Sequence, residues 1–237
     1  MSTPLAERIT GHLQTVARLR AGRQAEPALG ERVQALKAYQ ARRFERSYAD
    51  LLASPRYRGA ARFFLDELYG PQEFTERDAQ FGRIVPALVR LFPHEVVETV
   101  DALGELHALS EALDDATARH LPPGPVGAAG YAQAWQAAGR APARERQIAL
   151  TLAIGGALDR YTRNRLLRGS LRLMRGPAQA AGLGALQRFL EAGFDAFGGM
   201  GGAADFLARI GDNERALAAA LFAADAAPGA GALAQLP

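Results

Sequence analysis

The chain contains no cysteine, and of its 28 basic residues only Lys37 is a lysine. Without a thiol, disulfides, thiolate metal sites and cysteine nucleophiles are excluded, a usage that fits a reducing cytoplasm. Histidine occurs only at His12, His94, His107 and His120, so a His-rich metal centre is poorly supplied. β-Branched residues are sparse and no segment sustains period-two alternation, which leaves no strand signal. The longest apolar run, Ile148 to Leu158, contains Thr151 and two glycines. It is far short of the roughly 20 residues that a membrane-spanning helix needs. Glu7, Arg8, His12 and Arg18 interrupt the first twenty residues, which therefore lack a signal-peptide core. A soluble, cytoplasmic protein with no membrane span is expected.

The formal charge is +3. Arginine in place of lysine, with abundant alanine and glycine, reads most simply as a GC-rich bacterial genome. Part of the high isoelectric point follows from the pKa of arginine itself, so it is not by itself a nucleic-acid signature.

What is present is helical periodicity, almost from end to end. Thr3-Pro4 supplies a cap and a first-turn proline before Leu5, Ile9, Leu13 and Val16. A long helix is expected from about Pro27 to Ala53, ended by Ser54-Pro55, with a third carrying Phe63 and Phe64. Thr75 and Asp78 resemble a capping pair opening a helix that Pro86 should kink. Pro93 starts a fifth, reaching about Leu121. Pro122-Pro123-Gly124-Pro125 is the strongest linker signal. It predicts an N-terminal helical half (1–121), a Pro/Gly linker (122–130) and a C-terminal helical half (131–227). A flexible tail (228–237) completes the chain. In the C-terminal half a short segment from Tyr131 to Ala138 leads into a long helix from about Ala143 to Arg175, stopped by Gly176-Pro177. Ala149, Ala153, Gly156 and Ala157 would let it approach a neighbour closely. The fold class is all-α, a bundle of about eight to nine helices with no sheet.

The block Phe63-Phe64-Leu65-Asp66-Glu67-Leu68-Tyr69-Gly70-Pro71 is an aromatic helix end with a stop. Tyr57, Ala61, Phe64, Leu65 and Leu68 share one face, so Phe63, Phe64, Leu65, Leu68, Tyr69 and Gly70 read as a structural motif that docks on a core. Gly70 suits a left-handed cap and Pro71 cannot continue the helix. The block resembles the signature of the bacterial FFLEELY motif proteins, with Asp66 where the family name has Glu. Arg77-Asp78, the run Arg146 to Leu150 and the run Leu186 to Glu191 are similar in texture, so the likeness covers most of residues 57–215. The resemblance implies an all-helical bacterial protein and transfers no activity and no catalytic residue.

Three constellations bear on chemistry. Gly199-Met200-Gly201-Gly202-Ala203-Ala204 formally matches a dinucleotide fingerprint, but that motif works only between a strand and a helix. Here it follows a helix and reads as an interhelical joint. No P-loop and no G-x-S-x-G elbow occurs, and no cofactor or metal is expected. The second constellation lies on the helix from Pro93. His94, Glu98, Asp101 and Glu105 form an acidic face, while His107, Glu111 and Asp114 fall among Val96, Val100 and Leu103 on the mostly apolar side. Polar groups placed there need partners. His107 and Glu111, four apart, can ligate a metal or form a buried pair, and with Asp114 they are the candidate polar site. A di-iron site would need Glu-x-x-His on two helices, and the chain has none.

The third is a stripe of Arg165, Arg168, Arg172 and Arg175 at +3, +4, +3. From Asp159 to Arg175 six arginines face one aspartate, a balance of +5, and from His94 to Leu121 one arginine faces seven acids, a balance of −6. The near-cancelling charges predict that the two segments pair, within the molecule or across a dimer. The preferred function is a non-catalytic protein-interaction or scaffold module, self-association included. Two alternatives stand beside it. One is an Arg-mediated anion or nucleic-acid binder using the stripe. The other is a helical ligand-binding protein or enzyme with a polar site near His107.

Overall fold

A computed structural model describes residues 4–67, 74–223 and 231–237. Leu68, Tyr69 and Gly70 of the aromatic motif, and the side chain of Arg165, lie outside the described residues. Among the described residues there are twelve α-helices, a terminal 3-10 turn and no strand. The all-α expectation holds, with more helices than the sequence implies because two long ones are interrupted.

The first helix, α1 (Pro4–Ala25), and the second, α2 (Pro27–Ser47), each carry a proline in the first turn, where a missing N–H costs nothing. The expected helix to Ala53 breaks at Tyr48, and a short α3 (Ala49–Ala53) follows. Tyr48 is fully buried there, with its hydroxyl donating to Glu214 at 2.7 Å, so a tertiary contact coincides with the break. Next come α4 (Arg58–Glu67) and α5 (Thr75–Leu91), which continues across Pro86. Phe74, not Thr75, occupies the N-cap of α5, and no side chain caps it. Asp78 is drawn off instead to Arg20 and His107.

The longest helix, α6 (His94–Ala118), lies at the centre, packed against α1, α2, α5, α8 (Ala141–Thr162) and α7 (Ala128–Ala138). The expected helix to Arg175 ends at Thr162. Asn164 then accepts from the N–H groups of Leu166 and Leu167, at 3.0 and 3.3 Å, and caps a separate α9 (Arg165–Leu173). Gly176-Pro177 does not stop a helix but lies in the first turn of α10 (Arg175–Ala180). The joint between α11 (Gly184–Gly199) and α12 (Ala204–Phe222) holds Gly201 and Gly202, both at positive φ, a conformation glycine adopts without strain.

Two clusters dominate the core, and each draws on residues from both sides of Pro122-Pro123. An aromatic one sets Phe44, Phe63 and Phe64 against Phe197 and Phe206. Phe64 meets Phe206 edge-on with ring centres 5.4 Å apart, a favoured aromatic geometry. The other joins Leu29, Leu36 and Tyr39 of α2 to Tyr131, Leu217 and Leu221. The terminal turn (Gly231–Gln235) belongs to the second cluster, with Leu233 and Leu236 buried. Composition predicts a flexible tail from 228, but these two side chains dock residues 231–237 onto the core.

Candidate functional site

α6 is apolar on the sides that meet its neighbours, yet it carries Glu111, Asp114 and Asp115 in buried positions. Ionised carboxylates are costly to bury without partners, and the surrounding helices supply most of them. Arg23 of α1 donates to both Glu111 and Asp115, and Lys37 of α2 donates to Glu111 at 2.8 Å. Burial alone would raise the Glu111 pKa, but Lys37 and Arg23 override it and hold it down at about 2. The only lysine of the chain therefore serves a buried carboxylate.

One turn earlier on α6, His107 Nε2 lies 3.0 Å from Asp78 Oδ2, which also accepts from Arg20 at 2.8 Å. Burial works against ionisation of Asp78, yet the His107 hydrogen bond and the charges of Arg20 and Arg77 keep its pKa low. The Arg20 guanidinium also stands 3.4 Å from the same His107 nitrogen.

Asp114 differs. It is 7% exposed, Gln40 Nε2 donates to it at 3.2 Å, and among the described residues no cation forms an ion pair with it. Burial pushes its pKa up, outweighing the opposing charges of Lys37 and Arg144, and the negative charge of Glu111 adds to the rise. Two acids three residues apart on one helix thus have opposite tendencies, set by what stands opposite each.

His107, Glu111 and Asp114 all line one cavity of about 180 Å³. At one end of α6 its wall is apolar, with Val100 and Leu103 facing Phe81, Ile84 and Leu88 of α5 and Leu13 of α1. Further along α6 it becomes polar, with Lys37, Gln40, Asp114, Tyr131 and Arg144. Trp135, the only tryptophan, lines the same end. The Arg144 guanidinium stacks 3.8 Å from the centre of that indole and also donates to Thr117 at 2.9 Å. Trp135 is 8% exposed and its Nε1 has no hydrogen-bond partner. Burial raises the pKa of Tyr131, and Asp114 is near enough to contribute in the same direction.

Tyr131, Trp135, Gln40 and Arg144 were not legible as site residues, because the two aromatics read as core and Gln40 and Arg144 lie in charge-rich stretches that read as surface. The available signal was Lys37, a lone lysine in a chain that otherwise uses arginine.

The arginine stripe is elsewhere. Arg168 pairs with Asp195 and Arg175 with Glu191, both on α11, at 3.3 and 2.9 Å. The acids of α6 are met by other elements. Arg8 of α1 reaches Asp101, while Arg146 and Arg160 of α8 reach Glu105 and Glu95. Among the described residues, then, the stripe does not pair with the acidic helix within the molecule; the two segments are joined by the Arg160–Glu95 ion pair and by the Tyr161 hydroxyl, which meets the Glu95 carbonyl and Thr99. The new cap at Asn164 starts a helix that packs on α8 and α11. Opposite charge on two segments does not place them in contact when the chain turns between them.

Among the described residues, no group of three or more His, Asp or Glu side chains is arranged to hold a metal ion. No described helix is long and apolar enough to cross a membrane. No curated protein and no solved structure matches the chain significantly. One family model does match, over residues 19–228, which include every residue of the cavity wall named above except Leu13: the chain belongs to the family described as Domain of unknown function (DUF8198).

Proposed function

We propose that the protein is a helical binding protein for a small amphipathic molecule held between α2, α5, α6, α7 and α8. The apolar part sits among Phe81, Ile84, Leu88 and Leu103, and the polar part faces Asp114. The observation that carries this reading is a cavity of about 180 Å³ whose polar end retains one buried donor without an acceptor, Trp135 Nε1. An apolar cavity of about 150 Å³ already accommodates benzene, so a ring bearing one polar substituent is a fitting size. A well-packed interior leaves few voids of this kind, and a buried polar group without a partner costs about 1–3 kcal/mol.

Trp135 makes the test direct, because intrinsic tryptophan fluorescence reports from the cavity alone. Titration with benzyl alcohol should change it saturably and raise the melting temperature. Leu103→Phe and Ile84→Phe, which fill the apolar end, should weaken that response while circular dichroism stays helical. A wild-type protein showing no saturable change in either fluorescence or melting temperature overturns the reading.

A second reading, protein interaction or self-association, draws on α9. Leu166 and Leu173 are each 81% exposed, and Met174 beside them is also exposed. Arg172 stands on the same short helix with no ion pair among the described residues. Light scattering on Leu166→Glu with Leu173→Glu tests it: loss of an oligomer supports the reading, and a wild-type monomer removes self-association. Nucleic-acid binding is weaker still, because Arg168 and Arg175 already face carboxylates. Salt-dependent RNA binding would restore it.

A further inference from the structure

Among the described residues the exposed large apolar side chains are Leu91, Phe92, Leu166, Leu173 and Met174, and they fall in two short segments. Leu91 and Phe92 end α5 just before the first turn of α6, and the other three stand on α9 and its C-cap, just after the last turn of α8. Those two turns touch: Arg160 pairs with Glu95 at 3.2 Å, and the Tyr161 hydroxyl donates to the Glu95 carbonyl at 3.1 Å. Both segments therefore lie at one end of the α6–α8 pair. Exposed apolar groups gathered in this way mark a contact surface, and none of the five lines the cavity.

An ordinary surface helix turns its apolar stripe inward. In α9 the stripe is divided: Leu167 and Leu171 are partly buried, while Leu166 and Leu173 are each 81% exposed. The two exposed leucines stand about 10 Å apart along one face, with only Gly169 and Ser170 between them on that side.

The charge around this face is positive. From Arg160 to Arg175 the sequence has six arginines and no acid. α10 has no acid either, and α11 carries only Glu191 and Asp195, which Arg175 and Arg168 already hold. Asp159 of α8 is taken by Arg163. Arg172, and Arg188 of α11, form no ion pair among the described residues. At the α5–α6 corner the signs are mixed, with Arg90 and His94 beside Glu95 and Glu98.

We infer that α9 and the α5–α6 corner seat the protein on an anionic lipid surface. Leu166, Leu173, Met174, Leu91 and Phe92 enter the headgroup boundary, and the arginines of α9 meet lipid phosphates. Arginine beside exposed leucine and phenylalanine is the combination that such attachment uses. A second copy seated on the same face through a twofold axis would set arginine against arginine. A groove in an acidic protein would read anchors at i, i+3, i+4 and i+7, and after Leu166 the middle positions are Gly169 and Ser170. A fluid surface needs no matching pocket and accepts side chains from two separate elements.

Vesicles of phosphatidylcholine alone, and of phosphatidylcholine with an equal part of phosphatidylglycerol, can be sedimented with the full chain. Binding should be about tenfold tighter to the anionic vesicles and should weaken as salt rises. Leu166→Asn with Leu173→Asn should lower that binding about tenfold while the melting temperature holds, since both side chains are exposed in the folded chain. Phe92→Ser and Arg172→Gln should each weaken it by less, and soluble glycerol phosphate should not displace the vesicles. Failure to sediment with anionic vesicles overturns the inference, as does equal binding to both kinds. Binding that the leucine pair leaves unchanged, or that glycerol phosphate displaces, reduces the face to a phosphate site and overturns it too. RNA binding as tight as vesicle binding and indifferent to the leucine pair gives the arginines to nucleic acid instead. A wild-type oligomer that the leucine pair dissociates, without vesicle binding, gives the face to a second copy.

Discussion

Glu111 and Asp114 show how neighbours decide what a buried carboxyl does. Glu111, with Arg23 and Lys37 against it, is held at about 2 against an ordinary value of 4.5. A folded-state pKa below the unfolded one stabilises above the unfolded value, so this contribution is full above pH 4.5 and disappears as pH falls toward 2. Asp114 runs the other way. Its pKa is raised above the ordinary 3.8, so a cost sets in as pH climbs through that value. Thermal melts from pH 2 to 7 separate the two. Glu111→Gln should lose about 3–5 kcal/mol near neutrality, because Arg23 and Lys37 are left buried without a counter-charge. It should also flatten the acid arm of the profile. Asp114→Asn should leave stability at neutral pH unchanged or raise it. A residue that costs stability in place is what a binding site retains. Phe64 is the contrasting case: 2% exposed and enclosed by Phe44, Phe197 and Phe206, it fills space only. Phe64→Ala should cost about 3–5 kcal/mol by chemical denaturation without altering benzyl alcohol affinity.

At the scale of elements, the close crossing of α8 and α12 depends on two glycines set reciprocally. A Cβ at Gly155 would lie 2.6 Å from Leu207, and one at Gly211 would lie 2.9 Å from Leu152. The small-residue pattern on α8 was visible in the sequence, but its contact point was not. Gly155 takes the approach of α12, while a Cβ at Gly156 would meet only Arg160. Gly155→Val should therefore destabilise by about 1–3 kcal/mol through overpacking, read as a lower melting temperature, and Gly156→Val by less. Since α8 also carries Arg144 into the cavity, the same substitution should disturb ligand binding where Gly156→Val does not.

At the scale of the molecule, the order of the chain is not the order of packing. α1 lies on α6, and α4 lies on α11, so helices distant in sequence close each cluster. The last residues take part: Ser47 donates to Gln235, and Arg46 donates to the Leu236 carbonyl at 3.1 Å. Deleting residues 231–237 should lower the melting temperature by several degrees, because Leu233 and Leu236 leave the cluster around Tyr39. An unchanged melt would show that the terminal turn adds nothing to that core.

Helical class and the polar triplet on α6 were determined by sequence alone, because a 3.6-residue period places His107, Glu111 and Asp114 on one side whatever surrounds them. So was the burial of Phe64, which follows from its position on an apolar face. The fate of each triplet member was left to tertiary structure, since a carboxyl's protonation depends on which charges other elements bring near it. Lys37 and Arg23 come from helices more than seventy residues away from Glu111 in sequence. Among the described residues no ion pair reaches Asp114, and burial outweighs the charges of Lys37 and Arg144 nearby. The cavity is likewise a property of how α5, α6 and α8 diverge, and no local pattern encodes empty space between helices.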